Sequence, residues 1–533
     1  MCLVRFYPKM NPGMPNSDIQ AAWTYHNGTK HSYWSTRANP HVLDWANQPL
    51  SVKAYSGLEP LPLPRKVRAT HAAALSVVTE TAYRKEAVPD LEALSHLLYF
   101  SAGITRRRTY PGGEIFFRAA ACTGALYEVE LYLACRSLPN LEAGLYHFAP
   151  ADFSLRRLRT GDHRGVLVGA TAAEPSIRHA PLFIICTGTY WRNAWKYQAR
   201  TYRHFGWDNG TLLANLLAMS TALGFPAKIV CGFVDDTVNR LLDLDTQREV
   251  AFSLVPIGHV AELPSEPPKA IPPLGLEIVP ASKKELYYRA MHEMHAASSL
   301  LSPEEVVAWR GKTPVAKLNE TAGELLPLRP LEEAEIPRDP IESVILRRGS
   351  TRQFAREPIT FAQLSTLLER STRGVPADFL EPFGAHLNHL YLIVHAVEGL
   401  SSGAYFFHRE ARALELLKQG DFRSQAGYLG LEQDLPADAS VVAFFLADLH
   451  AILERFGNRG YRAVQLEAGI IGGKLYLAAY AQGLGATGLT FYDDDVVQFF
   501  YPHAAGKSAI FLVALGKSVQ RGAQKIQIRP ASM

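Results

Sequence analysis

The apolar residues of this chain follow two spacings, and each spacing predicts one kind of element. Six short runs are continuously apolar or alternate with polar residues, which is typical of strands. They begin near residues 131, 180, 251, 390, 440 and 509. Longer stretches, such as 210–224 and 469–485, have apolar residues at helical spacing and end at glycine. The alternation predicts an α+β protein in which helices and sheets form three layers.

Two shorter helices are predicted from the residues at their ends. Asp90 and Thr360 each precede a run with leucines on one helical face, and Gly103 and Gly374 follow those runs. Aspartate and threonine side chains accept hydrogen bonds from the free N–H groups of a first helical turn, and glycine is common just past a last turn. Both segments are therefore expected to be capped helices.

The two sets of elements are copies of one another. Landmark residues recur in the same order with a constant displacement of 259 residues, from Gly144 and Gly403 to Asp235 and Asp494. The short helices are displaced by 270 residues, so the first copy carries 11 extra residues between its helix and the next landmark. Recurrence of this length predicts a tandem repeat that folds as an intramolecular pseudo-dimer.

The repeat divides the 533-residue chain into four parts. Residues 1–65 are a lead-in that is expected to be irregular, and 66–261 form the N-terminal copy. Residues 262–340 are a proline-rich crossover with one helical stretch at 282–301, and 341–533 form the C-terminal copy. A crossover of this length can wrap around a partner copy.

Composition narrows the function classes. The net charge is +4, 47% of residues are hydrophobic, and we find no apolar stretch long enough to span a bilayer. The N-terminus lacks the features of an export signal, so a cytoplasmic protein is expected. The five cysteines have no metal-ligand spacing, and neither disulfides nor a metal are expected. Basic residues are scattered apart from 106–108, which argues against nucleic acid and membrane partners.

One difference between the copies locates a candidate site. Before its first helix, the C-terminal copy places Arg348, Ser350 and Arg352 within five residues. Two guanidinium groups and a hydroxyl suit a phosphate, because arginine offers paired N–H donors and stays charged. At the displacement of 270, the corresponding residues of the N-terminal copy are Val78, Glu80 and Ala82. The anion donors are therefore predicted in one copy alone.

The last strand shows the same asymmetry. It ends with Lys517 in the C-terminal copy and with His259 in the N-terminal copy. An arginine-rich segment can also be a solvated surface, and taken alone that interpretation is the better one. The paired loss at two separate places favours an anion site that one copy kept and the other lost.

Five sequence strings carry a resemblance to a known family. Together they resemble the nitroreductase-like flavoproteins, specifically the SagB-type azoline dehydrogenases, and the resemblance covers most of the chain from about residue 20. The strings are RRGSTRQF (347–354), RAAACTGALYEVELYL (118–133), GLYHF (144–148), KYQARTYRHFGWDNG (196–210) and GLGATGLTFYDDD (483–495).

The resemblance implies one FMN site built by both copies. From the C-terminal copy it would take Arg348, Ser350, Arg352, the loop Ala486-Thr487-Gly488 and Lys517, and from the N-terminal copy the turn Ala121-Cys122-Thr123-Gly124. Ala121 and Cys122 replace the proline and serine of the family, and Glu128 replaces another proline. We expect one flavin per chain, with the second pseudo-site inactive.

The resemblance also implies catalytic roles for Lys196 and Tyr197, whose counterparts in the C-terminal copy are Arg455 and Phe456. A Lys-Tyr dyad at this place would be the base that deprotonates the substrate. The ammonium is expected to lower the pKa of the neighbouring phenol. The alternative is a packed tyrosine beside a solvated lysine.

Three further sets of residues are candidates for chemistry. His204 and Asp208 are four apart on one helix and are interpreted as a proton relay or, more commonly, as surface electrostatics. Cys122 is read as a small turn residue beside the ring rather than a nucleophile. The acidic runs 235–236 and 493–495 are expected to cap helices.

The function implied is FMN-dependent dehydrogenation of a peptide or carrier-bound intermediate in natural-product biosynthesis, such as oxidation of an azoline to an azole. Other biosynthetic enzymes would be partners, and further oligomerisation is left open. Two alternatives remain: an NAD(P)H-dependent nitro or quinone reductase, and a catalytically inactive scaffold of a biosynthetic complex.

Overall fold

A computed structural model describes residues 15–38, 40–66, 69–82, 86–110, 113–268, 270–314 and 323–519. Helices and antiparallel sheets alternate through these ranges, as the hydrophobic pattern predicts. Cys2 and the N-terminal segment in which no export signal was found lie outside the described residues. All six predicted strands are present, and the two short helices begin at the predicted caps Asp90 and Thr360.

Each copy contributes one sheet with the same strand order. In the N-terminal copy the strands lie in the order Pro60–Pro62, Ser154–Thr160, Gly144–Ala149, Val129–Cys135, Leu182–Thr189 and Glu249–Ile257. In the C-terminal copy they lie in the order Leu325–Pro327, Ala413–Gln419, Gly403–His408, Asn388–Val394, Val441–Ala447, Ser508–Gly516 and Gly485–Leu489. The final edge strand, Gly485–Leu489, distinguishes the second sheet from the first.

Helices pack around both sheets. The lead-in and N-terminal copy contain Gln20–Gly28, Tyr33–Ala38, Ala74–Val77, Leu91–Ala102, Arg164–Ala170, Pro175–Arg178, Tyr190–Tyr197, Thr201–Leu223 and Asp235–Leu242. The crossover and C-terminal copy contain Arg289–Ala297, Pro303–Trp309, Ile341–Arg347, Phe361–Thr372, Arg423–Leu429, Asp434–Asp438, Leu449–Phe456, Arg459–Ala481 and Asp493–Phe499. A two-stranded hairpin, Ile104–Tyr110 with Gly113–Arg118, forms the insertion of the N-terminal copy.

The two long helices, Thr201–Leu223 and Arg459–Ala481, cross where counterpart glycines meet. A β-carbon on Gly210 would lie 2.5 Å from the carbonyl carbon of Gly469, and one on Gly469 would lie 2.5 Å from the Trp207 oxygen. Only glycine permits this approach of two backbones. The crossing therefore fixes the axis that relates the two copies.

Reciprocal buried ion pairs connect the copies on either side of this axis. Arg200 and Arg203 contact Asp493 at 3.0 and 2.6 Å, and Arg459 and Arg462 contact Asp235 at 2.6 and 2.7 Å. The counterpart of Asp235 is thus Asp493, so the predicted pairing of Asp235 with Asp494 is wrong by one residue. The prediction that these aspartates cap helices is also wrong, because each lies in a first turn and neutralises two arginines of the other copy.

Three other local predictions need correction. The lead-in is not wholly irregular, since it contains helices Gln20–Gly28 and Tyr33–Ala38. The helical stretch expected at 282–301 is confined to Arg289–Ala297. The loop expected at 486–488 is part of the strand Gly485–Leu489, which pairs with Ser508–Gly516. In each case tertiary contacts decide the conformation of a segment whose own pattern is weak.

Candidate active site

The arginine segment of the C-terminal copy lies against the predicted turn of the N-terminal copy. The Arg348 guanidinium donates from Nε to the Ala119 carbonyl at 3.0 Å and from Nη2 to the Ala119 and Arg118 carbonyls at 2.8 and 3.0 Å. Those carbonyls immediately precede the turn 121–124. The two parts that the sequence assigns to a composite site are therefore in direct contact. We call this region the arginine site: Arg348, Ser350, Arg352 and the turn 121–124.

Positive charge is concentrated at the arginine site. Arg348 is buried and Arg352 is exposed, and Arg106 of the hairpin donates a hydrogen bond to the Arg348 carbonyl. Among the described residues, none of these three guanidinium groups forms an ion pair with a carboxylate. Cations without local acids favour a bound anion. Arg106 was not predicted as a site residue, because nothing in the sequence places the triplet 106–108 beside Arg348.

A tyrosine joins Ser350 to the edge strand Gly485–Leu489. The Tyr476 hydroxyl accepts a hydrogen bond from the Gly488 N–H at 2.6 Å and lies 3.3 Å from the Ser350 oxygen. The backbone N–H of Thr351 donates to the Ala486 carbonyl at 2.9 Å, and the Thr487 side chain is buried. Ala486, Thr487 and Gly488 are therefore held beside Ser350. Tyr476 was not predicted, although its counterpart Leu217 marks it as a mismatch of the repeat.

The Lys517 side chain points to a different partner. Its ammonium contacts the Glu357 carboxylate at 3.3 Å, and its backbone carbonyl accepts from the Ala355 N–H at 2.9 Å. The backbone of Lys517 thus lies next to the arginine segment. A role of its ammonium in cofactor binding stays a prediction.

The turn Cys122-Thr123-Gly124 is held by Asp208 of the long helix. The Thr123 N–H and hydroxyl both donate to Asp208 Oδ1, at 2.8 and 2.9 Å. Gly124 has a φ of +64°, and a β-carbon there would lie 2.8 Å from the Tyr197 hydroxyl. Glycine is needed at this position for both the backbone conformation and the close approach. Tyr197 therefore packs directly on the turn.

Lys196 and Tyr197 end the helix Tyr190–Tyr197, and the Lys196 nitrogen lies 5.3 Å from the Tyr197 ring centroid. Burial and the nearby Arg352 guanidinium lower the pKa of Lys196. Burial, followed by the charges of Asp208, Cys122 and Glu128, raises the pKa of Tyr197. The expectation that the pKa of the phenol is lowered is wrong, because burial and the nearby acids raise it.

His204 and Asp208 do not pair. The His204 ring packs edge-on against Tyr197 at 4.7 Å, and its Nδ1 is 2.8 Å from Asn193 Oδ1. Both residues are buried, so the interpretation as surface electrostatics is wrong, and the direct relay between them is not formed. Asp208 instead faces Cys122, Thr123 and Glu128.

The equivalent region on the other side of the axis is a pocket that no described arginine lines. Val78, Glu80 and Ala82 line it together with Gly374 and Lys474. The buried Lys474 ammonium donates to the Gly374 carbonyl at 2.7 Å. Burial, with a smaller effect of Arg409, lowers the pKa of Lys474 to about 8. We call this region the counterpart pocket; whether it binds an anion stays a prediction.

Within the ranges that the structure describes, no helix is both long and apolar enough to cross a membrane. The four described cysteines, Cys122, Cys135, Cys186 and Cys231, are free thiols.

Comparison with known proteins agrees with this architecture. Residues 345–517 match the family model described as the Nitroreductase family. This stretch lies in the C-terminal copy and includes Arg348, Ser350 and Arg352. It is a nitroreductase-family domain, which indicates an oxidoreductase.

Two curated proteins are similar to parts of the chain. "Putative nitroreductase MJ1384" of Methanocaldococcus jannaschii is 27% identical over 172 residues, which are 32% of this chain and 82% of that protein. "Microcin B17-processing protein McbC" of Escherichia coli is 26% identical over 155 residues, which are 28% of this chain and 53% of that protein. The chain thus matches about half the length of McbC.

One solved structure matches nearly the whole chain. It is from Anabaena variabilis, is described as a "putative nitroreductase", and is 25% identical with a TM-score of 0.75. The match covers 93% of this chain and 99% of that one. The α+β nitroreductase-like fold predicted from the sequence is confirmed, and it extends over both copies.

Proposed function

We propose that this protein is an FMN-dependent dehydrogenase of the SagB type that oxidises a peptide or carrier-bound intermediate, such as an azoline to an azole. The observation that carries the proposal is the meeting of two unlike sets of residues across the pseudo-dimer axis. The C-terminal copy brings guanidinium groups that have no acidic partner in the described part of the chain, and the N-terminal copy brings the turn 121–124 with Lys196 and Tyr197.

The residues present fit FMN. Arg348, Ser350 and Arg352 would hold the phosphate, because no acid among the described residues neutralises these two guanidinium groups or that of Arg106, which donates to the Arg348 carbonyl. The turn 121–124 and the strand residues Ala486, Thr487 and Gly488 would flank the ring, and Lys517 is a further predicted contact. When bound, FMN supplies an acceptor for the two electrons and the hydrogen that leave the substrate.

Lys196 and Tyr197 would hold and move protons at the substrate. The lowered pKa of Lys196 makes its amine more available as a proton acceptor than an ordinary lysine. The raised pKa of Tyr197 keeps its phenol protonated, so Tyr197 donates a hydrogen bond or a proton. This assignment divides the predicted dyad into a lysine base and a tyrosine acid.

The similarity to McbC supports a role in peptide natural-product biosynthesis, because that relative is described as processing microcin B17. Peptide substrates, biosynthetic partners and a cytoplasmic location are parts of this proposal. The NAD(P)H-dependent reductase is a second candidate, because two similar proteins are described as nitroreductases.

A visible absorption spectrum of the purified protein, with flavin stoichiometry, tests the proposal. We expect a flavin band at about one equivalent per chain. Two equivalents would contradict an inactive counterpart pocket, and a colourless protein that cannot be reconstituted with FMN would support the scaffold alternative. Anaerobic addition of an azoline-containing peptide should bleach the band, whereas faster bleaching by NAD(P)H alone would favour the reductase.

A further inference from the structure

Two acidic side chains meet behind the turn 121–124. Asp208 lies on the long helix, and Glu128 immediately precedes the strand Val129–Cys135; their exposed fractions are 6% and 0%. The Cys122 sulfur is 3.5 Å from Asp208 Oδ2 and 3.4 Å from Glu128 Oε2. One oxygen of each acid and the sulfur all lie within 4.8 Å of one another. Burial, followed by the nearby Glu128 carboxyl, raises the pKa of Asp208.

No cation neutralises this pair among the described residues. Neither acid takes part in an ion pair there, and Glu128 Oε1 is buried without a hydrogen-bond partner. The neighbouring Arg118 donates to the Val129 and Ser51 carbonyls, and Arg192 contacts Glu130. Two buried carboxylates without a cation repel strongly, and a proton held between them removes the repulsion.

We infer that Asp208 and Glu128 share a single proton and that their remaining negative charge, together with burial, opposes ionisation of the Tyr197 phenol. The pair is a positioning element, since it acts on Tyr197 rather than on the substrate. The catalytic meaning of the inference rests on the proposed function. The shared proton itself does not, because it follows from burial and the missing counter-charge.

All the charged and titratable groups around Tyr197 are consistent with this assignment. Burial acts most strongly to hold the phenol proton, Asp208, Cys122 and Glu128 act in the same direction, and Arg352 acts against them. The Lys196 ammonium lies over the ring. The ring of His204, which packs on Tyr197, is held neutral because burial lowers its pKa.

The C-terminal copy has neither the second acid nor the phenol of this arrangement. The counterpart of Glu128 is Leu387, and the counterpart of Tyr197 is Phe456. Glu467, the counterpart of Asp208, accepts backbone N–H bonds from Leu387 and Asn388 at 3.0 and 2.9 Å. The N-terminal copy therefore has both the second acid and the phenol, and the C-terminal copy has neither. This pairing is expected if one serves the other.

The test combines infrared spectroscopy with titration of Tyr197. In the wild type at neutral pH, a carbonyl band of a neutral carboxylic acid should be lost in both Asp208→Asn and Glu128→Gln, because the remaining acid then ionises. Each single variant keeps one negative charge, so Tyr197 should titrate as in the wild type. In the double variant that charge is absent, and Tyr197 should titrate at least about one pH unit lower, towards the ordinary value near 10.

Carbon-13 labelling of tyrosine, with Tyr197→Phe to assign the signal, follows the phenol directly. Glu467→Gln is the matched control and should leave the Tyr197 titration unchanged. The inference is overturned if neither single variant loses an acid band, if the wild type carries one equivalent of metal, or if the double variant titrates like the wild type.

If the double variant does not fold, the infrared comparison of the wild type with the single variants decides the matter. These readouts need neither substrate nor turnover. A failure of the proposed function would instead be seen in the flavin stoichiometry.

Discussion

The arginine site and the counterpart pocket lie on opposite sides of one axis and are built on the same elements. The arginine site has two guanidinium groups and a glycine turn, and Arg106 and the lysine–tyrosine pair lie beside it. In the counterpart pocket, Val78, Glu80 and Ala82 stand at the positions of Arg348, Ser350 and Arg352. The Lys474 ammonium donates a hydrogen bond to the Gly374 carbonyl. Arg455 and Phe456 stand where the lysine and tyrosine would be.

The scaffold around the two regions has kept its symmetry. Asp235 and Asp493 each bind two arginines of the other copy, and Gly210 meets Gly469 at the helix crossing. Changing either half of such a contact would leave a buried charge or a clash, so both copies must retain it. Site residues are under no such mutual constraint. The packing contacts are therefore alike in the two copies, whereas the site residues differ.

The largest effect is expected when Lys196 and Tyr197 are replaced by the arginine and phenylalanine found at the same place in the C-terminal copy. In Lys196→Arg/Tyr197→Phe the proton acceptor and donor are both removed, so turnover should fall by about 10²–10⁴-fold. Flavin content should stay near the wild-type value, because the arginine site is untouched. Arg455→Lys in the C-terminal copy is the control and should leave turnover unchanged. Unchanged turnover in the double variant would remove the dyad from the mechanism.

The symmetry of the scaffold can be broken one side at a time. Asp493→Asn and Asp235→Asn each leave two buried arginines without their anion, and each should lower the free energy of unfolding by about 3–5 kcal/mol. Urea denaturation measures both losses. Their exposed neighbours Asp494 and Asp236 provide controls, because asparagine there should change stability by about 0.5 kcal/mol or less. A large difference between the two buried positions would contradict a symmetric scaffold.

The same aspartates should make the protein sensitive to acid. Burial opposes ionisation of Asp493, but Arg200 and Arg203 hold its pKa well below the ordinary value. A carboxyl whose pKa is lowered on folding stabilises the protein above its ordinary value near 4, and the stabilisation is lost as pH falls below it. The asparagine variants should therefore show a flatter decline of stability in that range.

Flavin binding distinguishes the two regions directly. Arg348→Val copies the Val78 of the counterpart pocket and removes a charged donor, which should weaken FMN binding by about 10–100-fold. Quenching of FMN fluorescence measures the affinity, and circular dichroism checks the fold. Val78→Ala should leave the affinity unchanged. Equal affinities in Arg348→Val and the wild type would exclude this arginine from the cofactor site.

The smallest effect is expected in the counterpart pocket. Lys474→Asn copies Asn215, the residue at the same place in the N-terminal copy. Since burial lowers the pKa of Lys474 to about 8, the folded state binds fewer protons than the unfolded state between about pH 8 and 10.4. Wild-type stability should therefore rise by about 1 kcal/mol for each pH unit across that window. Thermal unfolding at several pH values should show no such rise in the variant.

Much of the architecture could be predicted because it depends on local periodicity and on comparison of the chain with itself. The strands, the capped helices at Asp90 and Thr360 and the repeat all belong to this class. The lead-in helices were missed, because Gln20–Gly28 depends on contacts with the distant residues Asn458 and Tyr461. The one-residue error at Asp494 arose for a similar reason, since only the buried arginines identify Asp493 as the partner.

The sequence by itself determined that two copies of one fold are present and that one copy holds the arginines and the other the lysine–tyrosine pair. Residue identity is sufficient for this, because counterparts can be compared position by position. Only the tertiary structure decided that Arg106 and Tyr476 join the site and that Asp208 meets Glu128. It also reversed the expected effect on Tyr197, because a pKa depends on burial and on charges brought near by folding.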